Sequence, residues 1–261
     1  MKLPNLGIRN RMLLLGILPA ALIFTVIHFT NSESVENALL DFAEEILRER
    51  TAVIATEIDR GTLQAVTASR TMAIAAENGL FGQREKSMNF AKSILEQNPQ
   101  FTAAYFGYEP NADGQDAEAF DTLPKNALGK DGRFLPYYFR ELADDTKISL
   151  EPCVGLEKLY YEGCKQQAEN PADANKAMVT EPYDYEGKFM VEQTYPIMIY
   201  GKFAGVAGVD RALDQLTKDL EAIKVRQKEA GWNIDIILVS RLGSVIASTV
   251  DGADMKTKKI G

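Results

Sequence analysis

The spacing of apolar positions changes character along the chain, and each change predicts an element. Residues 12–30 read Met-Leu-Leu-Leu-Gly-Ile-Leu-Pro-Ala-Ala-Leu-Ile-Phe-Thr-Val-Ile-His-Phe-Thr, with no formal charge while His28 is neutral. As a helix at about 1.5 Å per residue this run reaches about 28 Å, close to the hydrocarbon thickness of a bilayer, and predicts one transmembrane helix. Beyond Ser32 the apolar residues thin to Val35, Leu39, Phe42, Ile46 and Val53, a seven-residue rhythm that predicts a helix with one adhesive stripe. Ala65, Ala68, Ala73, Ala75 and Ala76 then form a small-residue face suited to close approach, and Gly79 supplies a stop, so a long helix is expected over 31–79. The stripe has two readings: packing on the domain that follows, or a parallel homodimer.

After Gly79 the period shortens. A second helix is expected from Gln83 to Gln97, ended by Asn98-Pro99, and Phe101 to Tyr108 reads as a buried strand with Glu109-Pro-Asn-Ala-Asp-Gly114 as its turn. Arg133 to Phe139, Ala177 to Tyr185 and Lys188 to Ile199 are further strand-like runs. Two apolar runs then fold about Tyr200-Gly201-Lys202 and end in the carboxylate of Asp210, directly before a helical pattern from Arg211 to Ile223. Trp232 to Thr249 repeats a strand, turn, strand form around Leu242-Gly243. The fold class is α+β, with antiparallel strands behind helices.

Charge orients this layout. Lys2, Arg9 and Arg11 are the only charges among the first 32 residues, whereas the whole chain of 261 residues has a formal net charge of -8. By the positive-inside rule residues 1–11 form a cytoplasmic N-terminus, 12–30 span a bacterial inner (cell) membrane, and the bulk is periplasmic or extracellular. A cleaved signal peptide is the rival reading, given the basic start and Ala20-Ala21. With 46% hydrophobic residues the chain is a folded protein, and its acidic balance excludes nucleic acid as a partner.

The candidate chemistry is that of binding. No histidine accompanies Ser240, Ser244 or Ser248 in the soluble part, and neither GxSxG nor GxGxxG is present, so an enzyme is not expected. No metal or other cofactor is expected either. Cys153 and Cys164, the only cysteines, are disulfide candidates outside the cytoplasm, with two unpaired buried thiols as the alternative. Asp210 reads as an anchor for an ammonium group or as the cap of the following helix. Arg133 reads as a clamp for a carboxylate or as a surface partner of Asp131 or Glu141. Tyr105, Tyr137, Tyr138, Tyr183 and Tyr185 read as cage walls or as core aromatics, while Glu181 and Asp184 read as solvated acids.

Taken in order, Asn98-Pro99-Gln100-Phe101, Glu109 to Gly114, Gly132-Arg133-Phe134-Leu135-Pro136-Tyr137-Tyr138, Thr180-Glu181-Pro182-Tyr183 and Gly201 to Asp210 resemble the double Cache domains of bacterial methyl-accepting chemotaxis receptors. The resemblance runs from Ser32 to about Gly261. It implies a PAS-like ligand-binding module at 80–215, then a linker helix and the start of a second, membrane-proximal module at 216–261, incomplete here. It also implies signalling across the membrane on binding a small amine, amino acid or related solute, with chemotaxis proteins reached only through a cytoplasmic region absent from this chain. The ectodomain of a histidine kinase or diguanylate cyclase is an alternative, as is a membrane-anchored interaction module without a ligand. Amino-acid-binding members follow the arginine closely with adjacent Trp and Tyr and carry a tyrosine five positions before it. Here Phe134-Leu135-Pro136 follows Arg133, and Leu128 stands five before.

Overall fold

A computed structural model describes residues 17–141, 143–185, 188–240 and 243–250. The chain divides into two units, Met1–Glu57 and Ile58–Gly261. Helix α1 (Leu18–Ala75) continues past Thr30 without a break. In the first unit many of its large apolar residues face outward, Phe24 being 76% exposed and Leu39 and Phe42 62% and 61%, whereas Ile54 is buried. The expected transmembrane helix begins outside the described residues, among which no helix is long and apolar enough to cross a membrane.

In the second unit α1 ends where expected, in a π turn (Ala76–Leu80) that contains Gly79 at φ 112. Helix α2 (Arg84–Gln97) follows and stops at Asn98, whose extended backbone suits a residue before proline. Seven antiparallel strands come next: β1 (Ala103–Tyr108), β2 (Pro136–Arg140), β3 (Ile148–Pro152), β4 (Met178–Val179), β5 (Tyr183–Tyr185), β6 (Lys188–Ile199) and β7 (Lys202–Ala212). Their order across the sheet is β3-β2-β1-β7-β6-β4, with β5 also beside β6. Strand β3 has no counterpart in the sequence reading, because its Ile-Ser-Leu-Glu-Pro is only half-buried at an edge and carries a weak apolar signal. The expected Ala177–Tyr185 strand is broken between β4 and β5, where Pro182 can donate no ladder hydrogen bond. Tyr200 and Gly201, at φ 49 and 75, close the β6–β7 hairpin with the doubly left-handed turn that matches strand twist.

Successive strand residues face opposite sides, so one sheet builds two cores. Ala104, Phe106 and Tyr108 of β1, Tyr138 of β2 and Val209 of β7 pack with Met72 of α1 and Leu95 of α2. Ala103 and Tyr105, Tyr137 and Val206 face the other way. There they meet Cys153, then Tyr160 and Tyr161 of a π turn (Leu159–Gly163) and Cys164 of the short helix α4 (Cys164–Glu169), which is preceded by the one-turn helix α3 (Ala119–Thr122) in the β1–β2 connection. Helix α5 (Leu213–Glu229) and the separate hairpin β8 (Ile237–Val239) and β9 (Val245–Ser248) complete the described chain.

Two corrections follow from this layout. The disulfide is not formed: Cys153 and Cys164 are free, buried thiols. Cys153 Sγ points at the Phe106 carbonyl at 3.7 Å, whereas Cys164 faces Thr194. Asp210 is not a cap, because β7 continues to Ala212, which is itself the residue before α5 and makes no side-chain cap. Arg211, its neighbour, turns to the opposite face. There its guanidinium lies 3.5 Å from Asp219 of α5 and against Gly61 of α1, so closely that a Cβ on Gly61 would stand 2.7 Å from it.

The turn motifs are held by a buried ion cluster. Arg84, at the start of α2, donates to Asp113 Oδ2 at 2.8 Å and Oδ1 at 2.6 Å, to Asp116, and to the Gly132 carbonyl at 3.1 Å. One guanidinium thus ties α2 to both ends of the long β1–β2 connection. Removing it leaves two carboxylates buried without their cation, at a cost on the order of 3–5 kcal/mol. Arg84→Leu is therefore expected to lower the unfolding free energy by that much, and Asp116→Asn by less, in urea denaturation followed by circular dichroism.

Candidate functional site

The antiparallel register of β6 and β7 places Glu192 directly opposite Asp210. Both carboxylates are out of water, at 4% and 1% exposure, on the face that Tyr105 and Tyr137 share. Thr180 fixes the Glu192 backbone: its hydroxyl accepts from Glu192 N at 3.0 Å, and its own N–H donates to the Glu192 carbonyl at 3.1 Å. Across β1, Thr102 N donates to the Asp210 carbonyl at 2.9 Å. Neither acid has a backbone free to relax.

Tyrosines build the walls. Tyr137 donates its hydroxyl to Asp210 Oδ2 at 2.8 Å, and Tyr183 donates to Glu192. Tyr105 lies flat over Gly208, where a Cβ would stand 2.3 Å from its ring, so the Gly in Gly208-Val209-Asp210 is the space this ring needs. The Tyr105 ring centre is 5.5 Å from that of Tyr137 and 5.8 Å from that of Tyr160, the latter edge-on. Tyr160 is set by its hydroxyl on the Val154 carbonyl at 2.7 Å and by Thr194, whose hydroxyl donates to its carbonyl at 2.8 Å. These rings, with Cys153, Val154, Lys158 and Glu192, enclose a chamber of about 20 Å³. Outside it opens a groove of about 600 Å³ that also includes Glu181 and Glu162.

Three polar atoms on this face have no hydrogen-bond partner: Asp210 Oδ1, Glu192 Oε2 and the Tyr105 hydroxyl. Burial pushes Asp210 up to about 7 against the hydrogen bond from Tyr137. Burial, and then the charge of Asp210, push Glu192 well above the usual carboxylate range, while Tyr183 and Lys158 pull it down. Two adjacent acids of this kind cannot both ionise cheaply, and the pair retains a proton near neutrality. A positive group inserted between them removes that penalty.

The structure brings together Asp210, Tyr105, Tyr137 and Tyr183 from the sequence candidates and separates the others. Tyr138 points into the helix-side core, as its neighbour Tyr137 points away from it. Arg133 is committed elsewhere: it donates to the Tyr108 carbonyl and to the Tyr161 hydroxyl at 2.5 Å, beside Glu109, which Lys165 holds at 2.6 Å. The acidic partner of its guanidinium is thus Glu109 rather than Glu141 or Asp131, the last of which accepts from the Arg133 backbone N–H at 3.2 Å. Tyr185 ends β5 opposite Lys188, and its side chain lies outside the described residues, as does that of Asp184. Glu181 lines the groove with one oxygen buried and without a hydrogen bond. Sequence reasoning missed Glu192, Lys158 and Tyr160. For Glu192 a signal was present, since it is the one acid inside the apolar run Phe189 to Ile199. Among the described residues no group of three or more His, Cys, Asp or Glu side chains is placed to hold a metal ion.

Because the folded site holds protons that the unfolded chain releases, the sign of the pH dependence is fixed. The folded state binds more protons between about pH 4 and about pH 7, so stability is full below that window and falls as pH rises through it. Melting temperature is expected to drop by several degrees between about pH 5 and about pH 8, and Asp210→Asn to flatten the drop and raise the value at the alkaline end, in a series of thermal melts.

Several solved structures share this arrangement of helices and sheet. The extracellular domain assigned to the histidine kinase mmHK1S-Z3 is 27% identical over 73% of this chain and 65% of its own, with a TM-score of 0.60. This chain therefore spans slightly less than two thirds of that structure. A structure named Methyl-accepting Chemotaxis protein X is 25% identical over 83% of this chain and 76% of its own, at 0.62. The periplasmic sensory domain of the Campylobacter jejuni chemoreceptor Tlp1, at 13% identity over 78% and 71% with a TM-score of 0.58, is similar in fold. No curated protein matches the chain. Residues 88–218, which carry β1 to β7 and the two facing acids, match the family described as methyl-accepting chemotaxis protein-like, first PDC sensor domain, and the chain belongs to that family of chemoreceptor sensor domains.

Proposed function

We propose that the chain is the extracytoplasmic sensing part of a bacterial transmembrane receptor of the methyl-accepting chemotaxis type, and that its tyrosine-walled chamber receives the ammonium group of a small solute. The observation that carries this reading is the pair of unpartnered, buried carboxylate oxygens on Asp210 and Glu192. An ammonium brings three donors and one positive charge to a place that has acceptors and excess negative charge. The surrounding rings add cation–π attraction of about 0.5–2 kcal/mol. Because Arg133 is engaged with Tyr161 and Glu109, no guanidinium is left at the chamber for an α-carboxylate, and simple amines fit ahead of α-amino acids.

The module at 80–215 is the sensing unit, and 216–261 begin the next. Anchoring in the membrane through 12–30 is supported by the basic residues before that run and by the outward apolar side chains of Leu22, Ile23 and Phe24. Pairing of two chains along α1 is supported by the exposure of Val35, Leu39, Phe42 and Val53, which share one stripe. A kinase output is the second reading, favoured by a likeness to the histidine kinase domain as high as that to the chemotaxis protein.

In thermal melts of the detergent-solubilised chain, a panel of primary amines and amino acids is expected to contain compounds that raise the melting temperature, amines most. Asp210→Asn and Glu192→Gln should each weaken binding of those compounds at least about tenfold, whereas Arg133→Gln should change it less than about threefold. A flat response to the whole panel would remove the ammonium reading.

A further inference from the structure

The passage between groove and chamber is occupied by a charge of the protein's own. Four residues line both cavities: Lys158, Tyr160, Tyr183 and Glu192. They form the neck. Lys158 Nζ stands 5.1 Å from the centre of the Tyr183 ring, and its charge acts on Glu192. No other lysine or arginine lines either cavity among the described residues. The two nearest alternatives, Arg133 and Lys165, are held at Glu109.

The Lys158 backbone is pinned while its side chain is exposed. Its N–H donates to the Gly155 carbonyl at 2.9 Å, and its own carbonyl accepts from Glu162 N at 2.9 Å and Tyr161 N at 3.2 Å. The butyl stem can therefore swing about a fixed root. Inside the neck the chamber has room for about one water-sized group, although Glu192 Oε2 on its lining lacks a partner, as does Asp210 Oδ1 on the strand position opposite. An ammonium offered from outside meets a lysine ammonium already resting on the ring it would use.

We propose that Lys158 is a tethered plug that determines specificity: in the free protein its ammonium takes the place of a ligand's cation at the neck, and a ligand binds by displacing it. The proposal rests on the ammonium reading of the site. It follows that binding is a competition between two cations, in which the ligand wins by reaching deeper, to Asp210. A ligand whose own anion stayed at the neck would keep Lys158 in place as a partner, and its binding would need the lysine.

The test compares wild type, Lys158→Met and Lys158→Arg as full chains, by calorimetric titration with ethylamine and with glycine. Ethylamine is expected to bind Lys158→Met about tenfold tighter than wild type and Lys158→Arg within about threefold of it. Unchanged or weaker ethylamine binding by Lys158→Met overturns the plug, as does glycine binding that weakens in Lys158→Met alone. If ethylamine binds neither protein, the ammonium reading falls, and a ligand-free measurement decides Lys158 by itself. The groups facing Glu192 are Asp210 of β7, Tyr105 of β1, Tyr137 of β2, Tyr183 of β5 and, from the loop side, Tyr160 and Cys153. All but Lys158 are acids or neutral, so with the lysine gone the ionised pair costs more. The drop in melting temperature from about pH 5 to about pH 8 should widen in Lys158→Met. An unchanged drop shows that the lysine does not reach the pair, and the plug is rejected.

Discussion

Two carboxylates facing each other across neighbouring strands, with water excluded, are the constraint to which the rest of this module is fitted. Such a pair is costly, since each acid is desolvated and each opposes the charge of the other. The fold meets that cost in part, with a proton kept on the pair, one tyrosine hydroxyl for each acid, and a lysine at the neck. It leaves one oxygen of each acid unmet. A protein selected for stability alone would place Gln or Thr at these positions. What remains unmet is the cost of two buried carboxylate oxygens that nothing in the chain satisfies.

Holding the pair in place requires rigidity on both sides of the sheet. On the helix side, Met72, Leu95, Phe106 and Val209 close-pack, and Arg84 joins α2 to the β1–β2 connection through Asp113, Asp116 and Gly132. On the site side, Thr180 and Thr194 pin Glu192 and Tyr160 by hydroxyl bonds to backbone. These are short, directional contacts with little slack, whereas the groove outside is bounded by exposed or half-buried side chains. The site is therefore firm at its floor and yielding at its mouth.

Much of this was legible in the sequence. Period and punctuation give α2, β1, the β6–β7 hairpin and the end of α1 at Gly79 nearly to the residue, because each rests on a local rule: an Asn-Pro stop, alternation, a glycine at positive φ. The motifs were legible too, yet their roles were not. Arg133 looks like ligand chemistry when read along the chain, and in space it fastens a loop beside Glu109, as Asp113 does with Arg84, with charges satisfied by one another. Glu192 was passed over for the converse reason: a single acid in an apolar strand has meaning only once the register opposite Asp210 is known, and register is a long-range property. Tyr137 and Tyr138 could be separated by alternation alone, had the true start of β2 at Pro136 been recognised. The two cysteines are close in sequence, but the end of β3 and the start of α4 turn their side chains to different neighbours.

Asp210 and Arg211 are consecutive, and strand geometry sends them to opposite faces. One lies on the chamber's side of the sheet under the Tyr137 hydroxyl, and the other rests its guanidinium on Gly61 of α1 and beside Asp219 of α5. There is no flexible joint between these two contacts, only one peptide unit of a strand held on both edges by its neighbours. A roll of β7 that carries Asp210 toward a ligand must carry Arg211 the other way, like the two arms of a balance beam pivoting on the sheet. Gly61, with no side chain to cushion the contact, would register such a tilt directly on the helix backbone.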